Sequence, residues 1–318
     1  MTAAELDFIR QNRLPDPKGP EFAGMSGAYA ALWTPFTKDG KVNEGMIEKE
    51  IEWGLANGLT GFYLTGGTGE GLILSEKERK TVMARAVKAS RGRAKLIAQV
   101  GTMATDDAVT LARYAAKVGI DWVSSVGPVY FGQNFDAAYE HYRRISGATD
   151  LPFMIYSIGQ EIVPDRDARF FDLRNVKGMK YTNYKYWTVQ ALRRKLGKEA
   201  IFFAGCDEQV LSALATGVFS GCIGTTDNTI PWVYAKICAL AAANRFKEAA
   251  ELQDMSVRFV ELILRKPNFT WVKETMNYIG LDCGEGRSPA GRPLAKGEKA
   301  ELYAALAKLG FVKRNAAR

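Results

Sequence analysis

Histidine is almost missing from this chain: His141 stands alone among 318 residues. A metal site built from several imidazoles has no material, and most His-based nucleophilic triads have none either. His141 lies in a helical stretch, 135–145, where a packing or surface role is expected. Cysteine is scarce as well. Cys206, Cys222, Cys238 and Cys283 stand at wide, irregular spacings. That is neither a disulfide framework nor a zinc ribbon, and it fits a reducing cytoplasm. No apolar run approaches the ~18–20 residues of a membrane span, and no continuous apolar segment near the N-terminus suggests a secretory signal. There is no Lys/Arg run and no zinc-finger spacing. The 43 basic and 35 acidic residues leave a net charge of +8, but they interleave along stretches such as 76–93. Such stretches read as solvated helix faces, so neither nucleic acid nor membrane is expected as a partner. What remains, 47% hydrophobic and 25% charged, is a soluble globular composition that excludes disorder. It suits one large α/β domain, or a barrel-sized domain with a helical appendage.

Residues 1–25 are polar, with Pro15, Pro17 and Pro20 breaking any helix, and are expected to form an arm outside the main fold. From Gly27 onward short β-like runs alternate with helical stretches. The runs predict strands at 28–33, 61–65, 95–100, 122–126, 153–157, 178–181, 201–204 and 221–225. Helices are expected at 44–57, 75–90, 105–118, 135–146, 165–173, 186–196 and 207–216. Ser75 with Glu78 forms a capping-box pattern, and Thr105-Asp106-Asp107 places a cap and acids on a first turn. Gly58, Gly119 and Gly217 follow helical stretches where a left-handed residue is wanted. Eight such units are what a (β/α)8 TIM barrel needs, with a doubly wound open sheet as the alternative. Past Asn228 the β pattern stops, and helices are expected at 232–244, 246–264, 268–279 and 296–309, around a Gly/Pro-rich turn at 284–293. The organisation expected is therefore an arm (1–25), a barrel (26–229) and a C-terminal helical segment (230–318).

In a barrel, chemistry gathers at the C-terminal strand ends. After the second strand comes Thr65-Gly66-Gly67-Thr68-Gly69-Glu70. Its glycines let backbone N–H groups face an anion, and Thr68 adds a hydroxyl. Without a Lys-Ser/Thr ending it is not a P-loop, and a plain tight turn is equally consistent. The fourth strand leads to Tyr130, which suits packing or a pocket. The fifth ends at Tyr156, a core tyrosine or a proton shuttle. The sixth carries Lys180 in Gly178-Met179-Lys180-Tyr181-Thr182. Desolvation favours the uncharged form of an amine, which attacks carbonyls to give a Schiff base, although a surface lysine is the commoner case. The seventh delivers Gly205-Cys206-Asp207-Glu208, acids that could bind a polyol or simply open a helix. The eighth gives Gly224-Thr225-Thr226-Asp227-Asn228.

Taken together, Gly66–Glu70, Pro128-Val129-Tyr130, Leu151-Pro152 through Tyr156, and Gly178-Met179-Lys180 resemble the pyruvate-dependent class I aldolases, the dihydrodipicolinate synthase and N-acetylneuraminate lyase superfamily. The likeness runs from about Gly27 to the C-terminal helices. It implies that Lys180 forms an imine with a 2-oxo acid, usually pyruvate, and that Tyr156 shuttles protons. Thr68, with neighbouring backbone such as Gly67, would hold the carboxylate. Tyr130, donated by a neighbouring subunit of a homotetramer, would belong to a hydroxyl relay that Gly67, in place of Ser or Thr, leaves incomplete. No metal or organic cofactor is required.

Within the superfamily, synthases carry an arginine where this chain has Glu161, an acid where a second carboxylate should bind. Thr182, Gly205, Asp207, Glu208, Gly224 and Thr225 match the set that holds sugar hydroxyls in the lyase branch. Two positions depart: Gly67 stands where the family usually has Ser or Thr, and Asp227 where lyases commonly have tyrosine. The resemblance thus implies a lyase cleaving N-acetylneuraminate or a related 2-oxo sugar acid. A 2-keto-3-deoxy sugar-acid dehydratase or aldolase and a non-catalytic ligand-binding barrel are the alternatives.

Overall fold

The computed structural model describes residues 1–128, 134–197 and 199–313. Eight parallel strands follow one another in sequence order: β1 (Gly27–Ala31), β2 (Gly61–Leu64), β3 (Lys95–Gln99), β4 (Trp122–Val126), β5 (Phe153–Ile158), β6 (Val176–Thr182), β7 (Ile201–Ala204) and β8 (Gly221–Gly224). β8 pairs back onto β1, Gly27 beside Gly221 and Ala30 beside Gly224, so the sheet closes as a TIM barrel and the open sheet is excluded. The crossovers are α2 (Glu44–Ala56), α3 (Glu76–Ser90), α4 (Thr105–Val118), α5 (Phe135–Ser146), α6 (Pro164–Asp167), α7 (Tyr186–Leu196) and α8 (Val210–Ala215). A C-terminal segment follows with α9 (Pro231–Ala242), α10 (Phe246–Leu264), α11 (Phe269–Tyr278) and α12 (Glu298–Lys308). Among the described residues no helix is long and apolar enough to cross a membrane.

Local signals act as their chemistry dictates, with instructive exceptions. Ser75 and Glu78 close the capping box at the start of α3, and Gly119 ends α4 with φ +92°. Thr105 does not cap α4. Its hydroxyl meets His141 Nδ1 at 3.0 Å, and Ser125 Oγ meets Nε2 at 3.1 Å. Both ring nitrogens of the buried His141 are thereby engaged, and burial lowers its pKa: it is a packed, hydrogen-bonded core residue. The helix expected at 165–173 divides into α6 and a 3-10 turn, Ala168–Asp172, because Asp167 turns back to accept from the Val163 N–H. The one expected at 207–216 likewise opens as a 3-10 turn, Asp207–Gln209, before α8.

Side-chain alternation builds two apolar layers. One face of the strands fills the lumen with Tyr29, Tyr63, Ile97, Trp122, Met154, Ile201, Phe203 and Ile223. The other packs against the helices, Phe62, Phe202 and Cys222 among them. The N-terminal residues take part in this packing. A helix, α1 (Ala3–Gln11), forms ahead of the prolines under a Thr2/Glu5 capping box. It sets Ile9 against Ala235 and Ala239 of α9. Further on, Phe22 and Met25 are fully buried in the lumen cluster, at the barrel's N-terminal end.

Candidate active site

Counting by twos from the lumen core toward the C-terminal strand ends brings Thr65, Tyr156, Lys180, Thr182, Gly205 and Thr225 onto the inward face. Lys180 is 5% exposed. Its Nζ lies 4.6 Å from the centre of the Tyr63 ring and 4.5 Å from that of Tyr156. Tyr156 is its register partner on β5. The two rings meet edge to face at 5.9 Å, and the Tyr63 hydroxyl pairs with Ser124 Oγ at 2.9 Å. No carboxylate forms an ion pair with Lys180 among the described residues, so the amine sits between aromatic faces. Neighbouring Cys206 offers no competing nucleophile, because burial pushes its thiol up to about 12.

The loop after β2 is held in an unusual shape. Thr65 and Glu70, neither a glycine, take φ of +52° and +55°, a conformation that surrounding structure must hold in place. Thr65 Oγ1 donates to the Gln99 carbonyl at 2.8 Å. Glu70 is clasped by the C-terminal segment: Lys273 Nζ of α11 lies 2.5 Å from Oε1, both side chains fully buried. The Arg287 N–H donates to Oε2 at 2.7 Å. The loop so anchored presents Thr68, whose hydroxyl pairs with that of Thr225 beyond β8 at 2.7 Å. At Gly67 an added Cβ would meet nothing within 4 Å, so the missing Ser or Thr leaves open room.

At the far side, a Cβ on Gly205 would fall 2.0 Å from Thr182 Oγ1 and 3.2 Å from Lys180 Cε. Glycine there lets β7 approach the lysine. Thr182 Oγ1 itself is buried without a partner, a donor free for a ligand. The two acids part company. Glu208 stands at the rim, where Tyr184 Oη donates to Oε1 at 2.6 Å; that bond pushes the phenol up to about 12. Asp207 is buried, and its carboxylate turns to the layer between strands and helices, where Oδ2 accepts from the N–H and Oγ1 of Thr226 at 2.8 and 2.7 Å. Gly224 also faces that layer. Glu161 is exposed and ion-paired with Lys185. Tyr130 lies outside the described residues.

Sequence reading passed over Tyr63, Ser124 and Tyr184. The first two were accessible through strand alternation, which aims Tyr63 and Ser124 inward as it does Lys180. Nothing in the local pattern pointed to Tyr184, since its role depends on the reach of a neighbouring loop. As chemistry, the assembled cage can hold a small anion by hydroxyls and loop N–H groups while an amine approaches its carbonyl.

Known proteins share this arrangement of chain. The dihydrodipicolinate synthetase family model matches residues 24–309. N-acetylneuraminate lyase of Rhizobium meliloti is 31% identical over 288 residues, 88% of this chain and 93% of that protein. The 4-hydroxy-tetrahydrodipicolinate synthase of Parvibaculum lavamentivorans is 34% identical over 269 residues, 83% of this chain and 92% of that one. Among solved structures, N-acetylneuraminate lyase from Fusobacterium nucleatum complexed with pyruvate superposes with a TM-score of 0.83 at 28% identity. That match covers 90% of this chain and 97% of the other. On the extent of that match and the identity of these relatives, the chain belongs to the dihydrodipicolinate synthetase family.

Proposed function

We propose that this chain is a Schiff-base lyase that cleaves N-acetylneuraminate, or a related 2-oxo sugar acid, to pyruvate and an N-acylhexosamine. The observation that carries the reading is Lys180: buried, caged by Tyr63 and Tyr156, and on the same inward face of the strand ends as Thr225, whose hydroxyl pairs with Thr68. In the reaction the Lys180 amine adds to the 2-oxo carbon, and the oxygen leaves as water with a proton from Tyr156, giving a protonated imine and a Tyr156 phenolate. The protonated imine draws electrons from the bond one carbon further along, which breaks as the distal hydroxyl gives its proton to that phenolate. The resulting enamine takes a proton back, and hydrolysis frees pyruvate and Lys180. Thr68 and the N–H groups around Gly67 hold the carboxylate. The unpartnered Thr182 hydroxyl, the backbone at Gly205 and Gly224, and Glu208 with Thr225 are suited to the hydroxyls beyond the imine. Tyr130 from a neighbouring subunit, a homotetramer and a cytoplasmic setting belong to the same reading.

One relative bears a synthase's name. Against a second carboxylate binding here, Glu161 supplies an acid already paired with Lys185. Treating the protein with pyruvate and borohydride should add covalent mass at Lys180, and Lys180→Ala should lose both label and turnover. N-acetylneuraminate should release pyruvate, whereas a dehydratase would release none. An unlabelled Lys180 overturns the imine. Label without pyruvate release from any 2-oxo sugar acid overturns the lyase and leaves the imine standing.

A further inference from the structure

Asp227 is fully buried, and its Oδ2 has no hydrogen-bond partner. Its other oxygen accepts from the Cys222 thiol at 3.6 Å. Across from it stands Asp207, whose Oδ2 is already committed to Thr226. The remaining oxygens converge over Gly224. A Cβ added to that glycine would lie 2.0 Å from Asp207 Oδ1 and 2.4 Å from Asp227 Oδ2, so the two oxygens are within about 4.4 Å of each other. Two buried carboxylates brought this close oppose each other's ionisation, which favours holding one of them protonated. No lysine or arginine pairs with either side chain among the described residues.

We propose that Asp207 and Asp227 share one proton over Gly224, and that this acid pair is a positioning device that fixes the turn carrying Thr225 against Thr68. The shared proton satisfies the orphaned Oδ2 and leaves Asp207 with a single negative charge spread toward the Thr226 donors. Thr226 Oγ1 also bonds the Tyr234 hydroxyl, which meets Ser256 Oγ at 2.7 Å. Ser256 Oγ in turn donates to the Asp207 carbonyl at 2.9 Å. The pair therefore ties the ends of β7 and β8 to α9 and α10. The titratable groups around it are Cys222 of β8, backed by Cys238, and Tyr234 of α9, while the charges of Glu208 on its own turn and Lys180 of β6 act on Asp207 from further off. Burial raises the pKa of both aspartates, and of Asp227 most strongly. The glycine at 224 follows from the same geometry, since any side chain there would occupy the space where the oxygens meet.

The sign of the pH dependence is fixed. Folding holds a proton that the unfolded chain releases near the ordinary aspartate range, so the pair's stability contribution is full below that range and is lost as pH rises. Thermal unfolding should be followed from pH 4 to 8.5 for the wild type, Asp227→Asn and Asp227→Leu. Asn keeps an N–H for Asp207 and has no proton to lose, so its melting temperature should gain on the wild type as pH rises. Parallel profiles would overturn the shared proton. As a check that needs no variant, carboxyl 13C spectra of aspartate-labelled protein should retain a protonated aspartate signal at pH 6. Its absence would overturn the pair equally. For positioning, pyruvate labelling of Lys180 should stay within about twofold in Asp227→Asn and fall at least tenfold in a folded Asp227→Leu. Equal labelling in all three would remove the positioning role. Failure of the wild type to label would count against the imine alone, because the melting profiles judge the proton without any substrate.

Discussion

Glu208 and Asp207 are adjacent in sequence yet face different surroundings, and the difference separates their predicted effects. Glu208 stands at the rim with one oxygen taken by Tyr184 and the other free for a substrate hydroxyl. Glu208→Gln keeps the volume but weakens a charge-assisted bond worth ~1.5–3 kcal/mol. It should leave pyruvate labelling of Lys180 intact while cutting cleavage of the sugar acid at least about tenfold. Tyr184→Phe frees the acid to swing, so it should raise KM about three- to tenfold with kcat little changed, the scale of one lost hydrogen bond. Steady-state kinetics beside borohydride labelling on the same variants checks both. If labelling and cleavage fall together in Glu208→Gln, the residue serves the fold and not the substrate.

The strands were the most legible elements, because each run of alternating or apolar residues between helix signals had one consistent reading. In the folded barrel that same alternation sets which way Tyr156, Lys180 and Thr225 point. It fails one step beyond the strand ends. Asp207 lies past β7, where period two no longer holds, and its direction is set by Thr226, Ser256 and Gln253 from elements far along the chain. The loop after β2 shows the same limit: its sequence suggested an anion cradle, but nothing local revealed that Glu70 is buried against Lys273. Removing that cation strands a buried carboxylate, which costs ~3–5 kcal/mol. Lys273→Met should therefore lower the melting temperature sharply and weaken pyruvate labelling. Adding Glu70→Gln to it should restore most of the stability, as measured by a double-mutant cycle. A double variant no more stable than Lys273→Met would mean that the pair does not act as a unit.

Across the whole molecule, the C-terminal helices are joined to the barrel through buried ionisable groups as well as apolar contacts. Glu50 of α2 is buried and accepts from the Cys283 thiol at 3.1 Å, and burial pushes its carboxyl up to about 8. The folded chain thus keeps a proton that the unfolded chain gives up near 4.5. The stability this provides is complete below that value and drains away as pH climbs toward 8. Glu50→Gln should match the wild type in its pH trend at pH 4 and gain on the order of a few kcal/mol by pH 8.5, read from denaturant melts across that range. The clasp on Glu70 has a temporal side. Residue 70 leaves the ribosome long before residue 273 exists, and a carboxylate without its partner stays in water instead of entering the protein interior. In a nascent chain the loop after β2 therefore lacks its anchor until α11 has emerged. The proposed binding of a 2-oxo acid would then wait on the last helices, whatever the state of the strands before them.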